Sequence, residues 1–92
     1  MSRFLIEVAH EPKKLECERA VRMFLESGSH FMTNADWGCS DGEHKAWIVV
    51  DLDTKEDALL IVPPQFRNNA KITRLEKFSM DDVEKKLVVH HK

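Results

Sequence analysis

The spacing of apolar residues changes repeatedly along this 92-residue chain, and the order of these changes constrains the fold more than any other feature. Apolar side chains at alternate positions predict a strand over residues 4–10, and the β-branched run Ile48-Val49-Val50 indicates another over residues 45–52. Two further strands are predicted over residues 30–37 and 71–78. Apolar residues at helical spacing predict a helix over 15–27 and another over 58–62. The predicted order is therefore strand, helix, strand, strand, helix, strand, with a short amphipathic helix at the C-terminus.

This order predicts an α+β fold with a single domain over residues 1–92, because a chain of this length builds one hydrophobic core. With right-handed crossovers, a βαββαβ chain is best satisfied by the ferredoxin-like split βαβ arrangement. Its sheet is antiparallel and has the strand order 4-1-3-2. We therefore expect a ferredoxin-like domain with helices on one face of the sheet.

Local signals mark the ends of several predicted elements. Gly28 stands where the first helix should end, and Thr54 to Asp57 resembles a capping box that opens the second helix. Pro63-Pro64 should stop that helix or bend the chain into a further turn. Ser79 to Asp82 predicts a cap for the C-terminal helix, which carries on one side Val83, Leu87 and Val88.

The segment DWGCSDGEHKAW, residues 36–47, contains both tryptophans, one of the two cysteines and a histidine. Asp41-Gly42 is a strong hairpin signal in its middle. If this dipeptide is the tip, residues whose numbers add up to 83 face each other, so that Cys39 opposes His44 and Asp36 opposes Trp47. Opposed Cβ atoms lie about 4.5–5.5 Å apart, which would let Cys39 and His44 share a ligand.

The predicted topology brings two further ligand types to the same edge of the sheet. His10 ends the first strand, and Cys17 lies in an early turn of the helix that follows. Together with Cys39 and His44 they form a Cys₂His₂ set, which suits Zn²⁺ or a similar ion such as Ni²⁺. Two other interpretations use the same atoms: the cysteines are packed as small apolar side chains, or Cys17 and Cys39 form a regulated disulfide.

The two faces of the predicted sheet differ in character. The more apolar one should lie under the helices and includes Phe31 of the second strand. The opposite face should carry His30, Met32, Asn34, Asp36, Trp47 and Glu7. We expect a second copy of the chain to cover this open face, giving a homodimer.

The open face is also a candidate ligand site. Trp47, Asp36, Asn34 and Met32 would line an apolar patch with polar groups, the usual composition of a small-molecule pocket. His30 with Glu7 or Asp36 could perform general acid–base chemistry. On one strand, however, six residues separate His30 from Asp36 by roughly 20 Å, so these two would need a cross-subunit arrangement.

Composition excludes several functional classes. The net charge of −2 and the absence of a basic patch argue against nucleic-acid binding. No apolar stretch approaches the roughly 20 residues of a membrane span, and the N-terminus lacks the pattern of a signal peptide. Two cysteines 22 positions apart are typical of reduced thiols in a cytoplasmic protein.

The order of elements, the chain length and the half-apolar open face resemble the dimeric α+β barrel group of ferredoxin-like proteins. The segments GSHFMTNADWGCSDGEHKAW and IVPPQFR, residues 28–47 and 61–67, also resemble a set of short, functionally uncharacterised prokaryotic proteins. The resemblance implies two sheets packed face to face, with small molecules often bound between sheet and helices. The group includes monooxygenases, isomerases, decarboxylating or dehalogenating enzymes and metal-responsive proteins, so it implies a fold and leaves the chemistry open.

Three functions are therefore expected. The first is a small ligand- or metal-binding protein of the dimeric α+β barrel type. The second is a small-molecule enzyme, an isomerase, a lyase or a cofactor-free oxygenase, with its pocket on the open sheet face. The third is an interaction module in which that face is only a subunit interface.

Overall fold

The computed structural model describes residues 1–86, which form a four-stranded sheet with three helices packed on one side. The strands are β1 (Ser2–Ala9), β2 (Asp36–Trp37), β3 (Lys45–Leu52) and β4 (Ala70–Leu75). The helices are α1 (Lys14–Glu26), α2 (His30–Thr33), α3 (Lys55–Ile61) and α4 (Met80–Glu84). Two 3-10 turns, over Cys39–Asp41 and Pro64–Asn69, complete the connections.

All the strand pairs are antiparallel, and the strand order is β2-β3-β1-β4. Read from the other edge this is the predicted order 4-1-3-2, so the α+β class and the antiparallel sheet are confirmed. The central strand β1 pairs on both sides, with Ile6 opposite Ile48 of β3 and Ile72 of β4. The topology is compatible with a ferredoxin-like fold.

The core lies between the sheet and the helices. Its largest fully buried side chains are Phe4, Ile6, Phe24, Met32 and Val62. The ring of Phe24 packs 4.8 Å from that of Trp37 and 5.7 Å from that of Phe66, measured between centroids. Through these contacts α1 packs against the sheet and against the 3-10 turn that precedes β4.

The predicted second strand, over 30–37, is mostly wrong. Residues His30–Thr33 form helix α2, and β2 consists of Asp36–Trp37 alone. The helical turn is favoured by local hydrogen bonds: the Ser29 hydroxyl accepts from the amide of Met32, and the Asn34 side chain donates to the carbonyl of His30.

This helical turn reverses the predicted faces of two side chains. Met32, predicted on the open face, is 1% exposed and lies in the core. Phe31, predicted under the helices, is 37% exposed. The reason is the change of period, because neighbouring residues of a helix are about 100° apart and do not alternate between two faces.

The other predicted end signals are confirmed. Gly28 has the left-handed φ of 71° just after α1, and the Thr54 hydroxyl caps α3 by accepting from the amide of Asp57. Ser79 and Asp82 form a reciprocal capping box at α4. Val83 is exposed on α4, whereas Leu87 and Val88 lie outside the described residues.

None of the helices within residues 1–86 is both long and apolar enough to cross a lipid bilayer.

Candidate metal centre

The end of β1 and the connection between β2 and β3 meet at one end of the sheet. The amide of His10 donates to the carbonyl of His44 over 3.1 Å, which continues the β1–β3 ladder one pair beyond Ala9 and Lys45. The two histidines are therefore cross-strand neighbours, and their ring centroids lie 5.5 Å apart.

The connection from β2 to β3 is wider than the tight two-residue hairpin suggested by Asp41-Gly42. A 3-10 turn over Cys39–Asp41 fills it, and Gly42 closes the turn at a φ of 83°. The predicted register is nevertheless confirmed, with Asp36 opposite Trp47 and Trp37 opposite Ala46.

Gly38 allows this connection to close tightly. A Cβ atom at position 38 would lie 2.6 Å from Cζ3 of Trp47 and 2.8 Å from the carbonyl oxygen of Glu43. Both distances are shorter than the contacts that side-chain carbons tolerate, so only glycine fits between the indole and the returning backbone. The amide of Glu43 donates to the carbonyl of Gly38 over 3.0 Å and closes the loop that carries Cys39.

Three of the four predicted ligands come together. His10, Cys39 and His44 each offer one ligand atom, and the three atoms all lie within 4.8 Å of one another. Nε2 of His10 is 3.1 Å from the Cys39 sulfur. Donors that share one tetrahedral zinc ion at 2.0–2.3 Å lie about 3.5 Å apart, so small side-chain rotations would bring this group to ligating geometry.

His10 is held in the orientation that a metal ligand needs. Its Nδ1 lies 2.9 Å from the carbonyl oxygen of Glu11. A carbonyl oxygen only accepts, so Nδ1 donates in this contact, and in the tautomer that a metal ligand adopts the lone pair of Nε2 lies toward Cys39. A backbone carbonyl that fixes the tautomer in this way is a common outer partner of metal-bound histidine.

His44, the second histidine of the group, has an unsatisfied polar atom. Its Nδ1 is buried, and no hydrogen-bond partner for it exists among the described residues. Leaving a buried polar group unpaired costs about 1–3 kcal/mol. A ligand that supplies a partner to this nitrogen would therefore be favoured.

Cys17, the fourth predicted ligand, adjoins Cys39 but stands outside the group of three. Burial raises the pKa of the Cys39 thiol to about 11. The hydrogen bond with Cys17 and the repulsion between the two groups when both are ionised act in the same direction. Cys39 is therefore a protonated thiol at neutral pH, which is unfavourable for a catalytic nucleophile. A metal bound there would displace the proton. Both cysteines are free thiols.

The predicted open-face residues are only partly brought together. His30, Asn34, Asp36 and Trp47 line one cavity of about 530 Å³ beside β3. The fold of α2 allows this, because His30 and Asp36 are no longer separated along one strand. Glu7 instead accepts a 3.0 Å hydrogen bond from the Trp47 indole, and Met32 is in the core.

Two contacts of the candidate metal centre are not predicted from the sequence. The indole of Trp37 lies 6.1 Å from the His10 ring and, through Phe24, connects the centre to the core. The strand alternation placed Trp37 on this face but could not show that contact. Glu11 contacts His10 through its backbone carbonyl. Every residue has such a carbonyl, so the sequence does not predict this contact.

No family model, curated protein or solved structure matches this chain.

Proposed function

We propose that this chain is a small metal-binding protein whose centre consists of His10, Cys39 and His44. The observation that carries the proposal is the convergence of three donor atoms within 4.8 Å from two separate parts of the chain. The fixed tautomer of His10 and the unpartnered nitrogen of His44 support it independently.

The donor types favour Zn²⁺, with Ni²⁺ as the nearest alternative. One thiolate and two imidazoles are borderline-soft donors, which suit zinc better than the oxygen-seeking ions Mg²⁺ and Ca²⁺. Three protein ligands leave one tetrahedral position of zinc open. The Cys17 thiol beside Cys39 is our candidate for that position, and a water molecule or exogenous ligand is the alternative.

Titration with Co²⁺, a coloured substitute for zinc, tests this function. We expect one Co²⁺ ion to bind per chain, with thiolate-to-cobalt charge-transfer absorption and the strong visible bands of a tetrahedral site. One equivalent of Zn²⁺ should remove both signals, and competition with Ni²⁺ should rank the two ions. A spectrum without a thiolate band would contradict the proposal.

The chain offers controls for adventitious binding by histidine. His30 is exposed on α2, and His90 and His91 stand near the C-terminus of the sequence. We expect His30→Gln and the double variant His90→Gln/His91→Gln to retain the cobalt spectrum. Cys17→Ser should weaken the charge-transfer band if Cys17 is the fourth ligand and leave it unchanged otherwise.

We further propose that the domain forms a ferredoxin-like homodimer of the dimeric α+β barrel type through its open sheet face. The exposed side of the sheet supports this proposal, because it carries Val49, which is 58% exposed, and the half-buried side chains of Leu5 and Trp47. Burying such a patch between two copies would add apolar area to a small core.

Sedimentation equilibrium tests the dimer. We expect the wild-type chain to be dimeric and Val49→Lys to weaken self-association at least about tenfold, because a lysine would be buried in the interface. Leu60→Lys is the matched control, since Leu60 is also exposed but lies on α3, on the other side of the sheet. A monomeric wild-type chain, or equal loss in both variants, would contradict the proposed interface.

A further inference from the structure

Strand β3 is paired along its whole length on one side and along only two residues on the other. β1 pairs with β3 from Lys45 to Leu52, whereas β2 pairs only with Ala46 and Trp47. Within residues 1–86, no strand covers the β2 side of residues 48–52. We call this uncovered stretch the β3 edge.

Two hydrogen bonds establish which backbone groups point to the β3 edge. The carbonyl of Lys45 accepts from Gly38 on the β2 side, whereas the carbonyl of His44 accepts from His10 on the β1 side. Because backbone groups alternate in direction along an antiparallel strand, the amides and carbonyls of Val49 and Asp51 face the β3 edge. The edge thus presents donors and acceptors spaced to pair with another strand.

A groove runs along the β3 edge. This groove is the cavity of about 530 Å³ that His30 and Trp47 line, and its lining includes the four consecutive residues 48–51. Ile48 and Val50 point to the core and Val49 and Asp51 to the open face, so their common exposure to the cavity is through the strand edge. The lining also includes His30, Phe31 and Asn34, from α2 and the residue that follows it.

The groove has an acidic rim. Asp36 and Asp51 line it and are exposed, and no lysine or arginine is among the lining residues. Outside the lining, Arg3 pairs with Asp51 from the neighbouring strand over 3.4 Å. An occupant with positive charge is therefore favoured over a neutral or acidic one.

We propose that the β3 edge binds an extended peptide segment bearing basic residues, which adds to the sheet as a fifth strand. The backbone groups of Val49 and Asp51 would supply the pairing, and the groove between β3 and α2 would hold alternate side chains of the segment. Asp36 and Asp51 would select for lysine or arginine. The uncovered stretch of residues 48–52 spans about 17 Å, enough for five residues of an added strand.

A second copy of the chain is a poorer occupant of this edge. Pairing two β3 edges with each other would bring Asp36 and Asp51 of both copies together, and opposed like charges are destabilising. The proposed dimer through the open face would leave the backbone groups of the edge accessible, because strand pairing occurs in the plane of the sheet. The peptide proposal is also independent of the metal centre.

Synthetic peptides test the proposal directly. The probe is acetyl-KVTVK-amide with a fluorophore on a C-terminal linker, measured by fluorescence anisotropy against the full chain. We expect it to bind more tightly than acetyl-EVTVE-amide by at least about tenfold. The same basic peptide with its three central amides N-methylated should not bind, because N-methylation removes the donors needed for strand pairing.

Variants of the chain locate the interaction. Val49→Pro removes the edge-facing amide and should weaken binding of the basic peptide at least about tenfold. Asp36→Lys should reduce the preference for the basic over the acidic peptide, whereas the matched charge reversal Glu84→Lys on α4 should not. Circular dichroism shows whether each variant is folded, and Asp36→Lys carries the test if Val49→Pro does not fold.

Three results would overturn the proposal. The first is equal binding of the basic and acidic peptides, and the second is undiminished binding of the N-methylated peptide. The third is self-association of the wild-type chain that Val49→Pro abolishes and that Leu5→Lys, on the open face of the central strand β1, leaves unchanged, because the edge would then be occupied by a second copy. None of these results depends on whether the chain binds metal, so this proposal and the proposed function can fail separately.

Discussion

Replacing Cys39 with serine or His44 with phenylalanine is expected to lower the affinity for zinc by about 100-fold or more. Loss of an outer partner of a metal ligand already costs about 10–100-fold, and a direct ligand contributes more. His10→Gln should have an effect of similar size, because it removes the ring nitrogen that Glu11 orients. Competition with a chromophoric chelator measures each dissociation constant.

His44→Phe also distinguishes a lost ligand from a lost fold. The apolar ring is similar in shape and removes the buried, unpartnered Nδ1, so the metal-free variant should unfold at a urea concentration equal to or above that of the wild type. Zinc should raise the urea concentration at which the wild type unfolds and should not change that of His44→Phe. Zinc binding of wild-type strength in Cys39→Ser would exclude the proposed centre.

Replacing Phe24 with alanine is expected to destabilise the fold by about 3–5 kcal/mol, the usual cost of removing a large aromatic side chain from a core. Phe24 is 0% exposed and packs against both Trp37 and Phe66. Its loss would open a cavity where α1, the sheet and the turn before β4 meet. Since a domain of this size has roughly 5–15 kcal/mol of stability in total, much of it would be lost.

The neighbouring residue provides a matched control. Leu25 lies on the same helix but is 56% exposed, so Leu25→Ala should change the free energy of unfolding by only about 0.5 kcal/mol. Urea unfolding followed by tryptophan fluorescence measures both variants. Equal destabilisation by the two substitutions would show that Phe24 does not anchor α1.

The sequence determined the features that depend on local spacing. Alternation in β1, the β-branched run in β3 and helical periodicity in α1 identified the α+β order, and handedness rules then led to the observed strand order. The hairpin signal at Asp41-Gly42 gave the correct β2–β3 register. From register and strand order together, the meeting of His10, Cys39 and His44 was predictable before any coordinates.

Tertiary structure and local side-chain hydrogen bonds decided the remainder. The apolar spacing over 30–37 fits a strand, but the Ser29 cap and the Asn34 side chain make α2 there, which moves Met32 into the core and leaves the β3 edge uncovered. Periodicity did not reveal this, because a four-residue helix is too short to show a 3.6-residue repeat.

The finer arrangement of the candidate metal centre could not be predicted from the sequence either. The carbonyl of Glu11 orients His10, and the position of Cys17 relative to the other ligands depends on how α1 packs on the sheet. Backbone groups are chemically the same at every residue, and helix placement is determined by contacts between distant residues such as Phe24 and Trp37. The chain's pattern therefore determines which elements meet, and only the packed fold determines the distances and orientations at which their side chains meet.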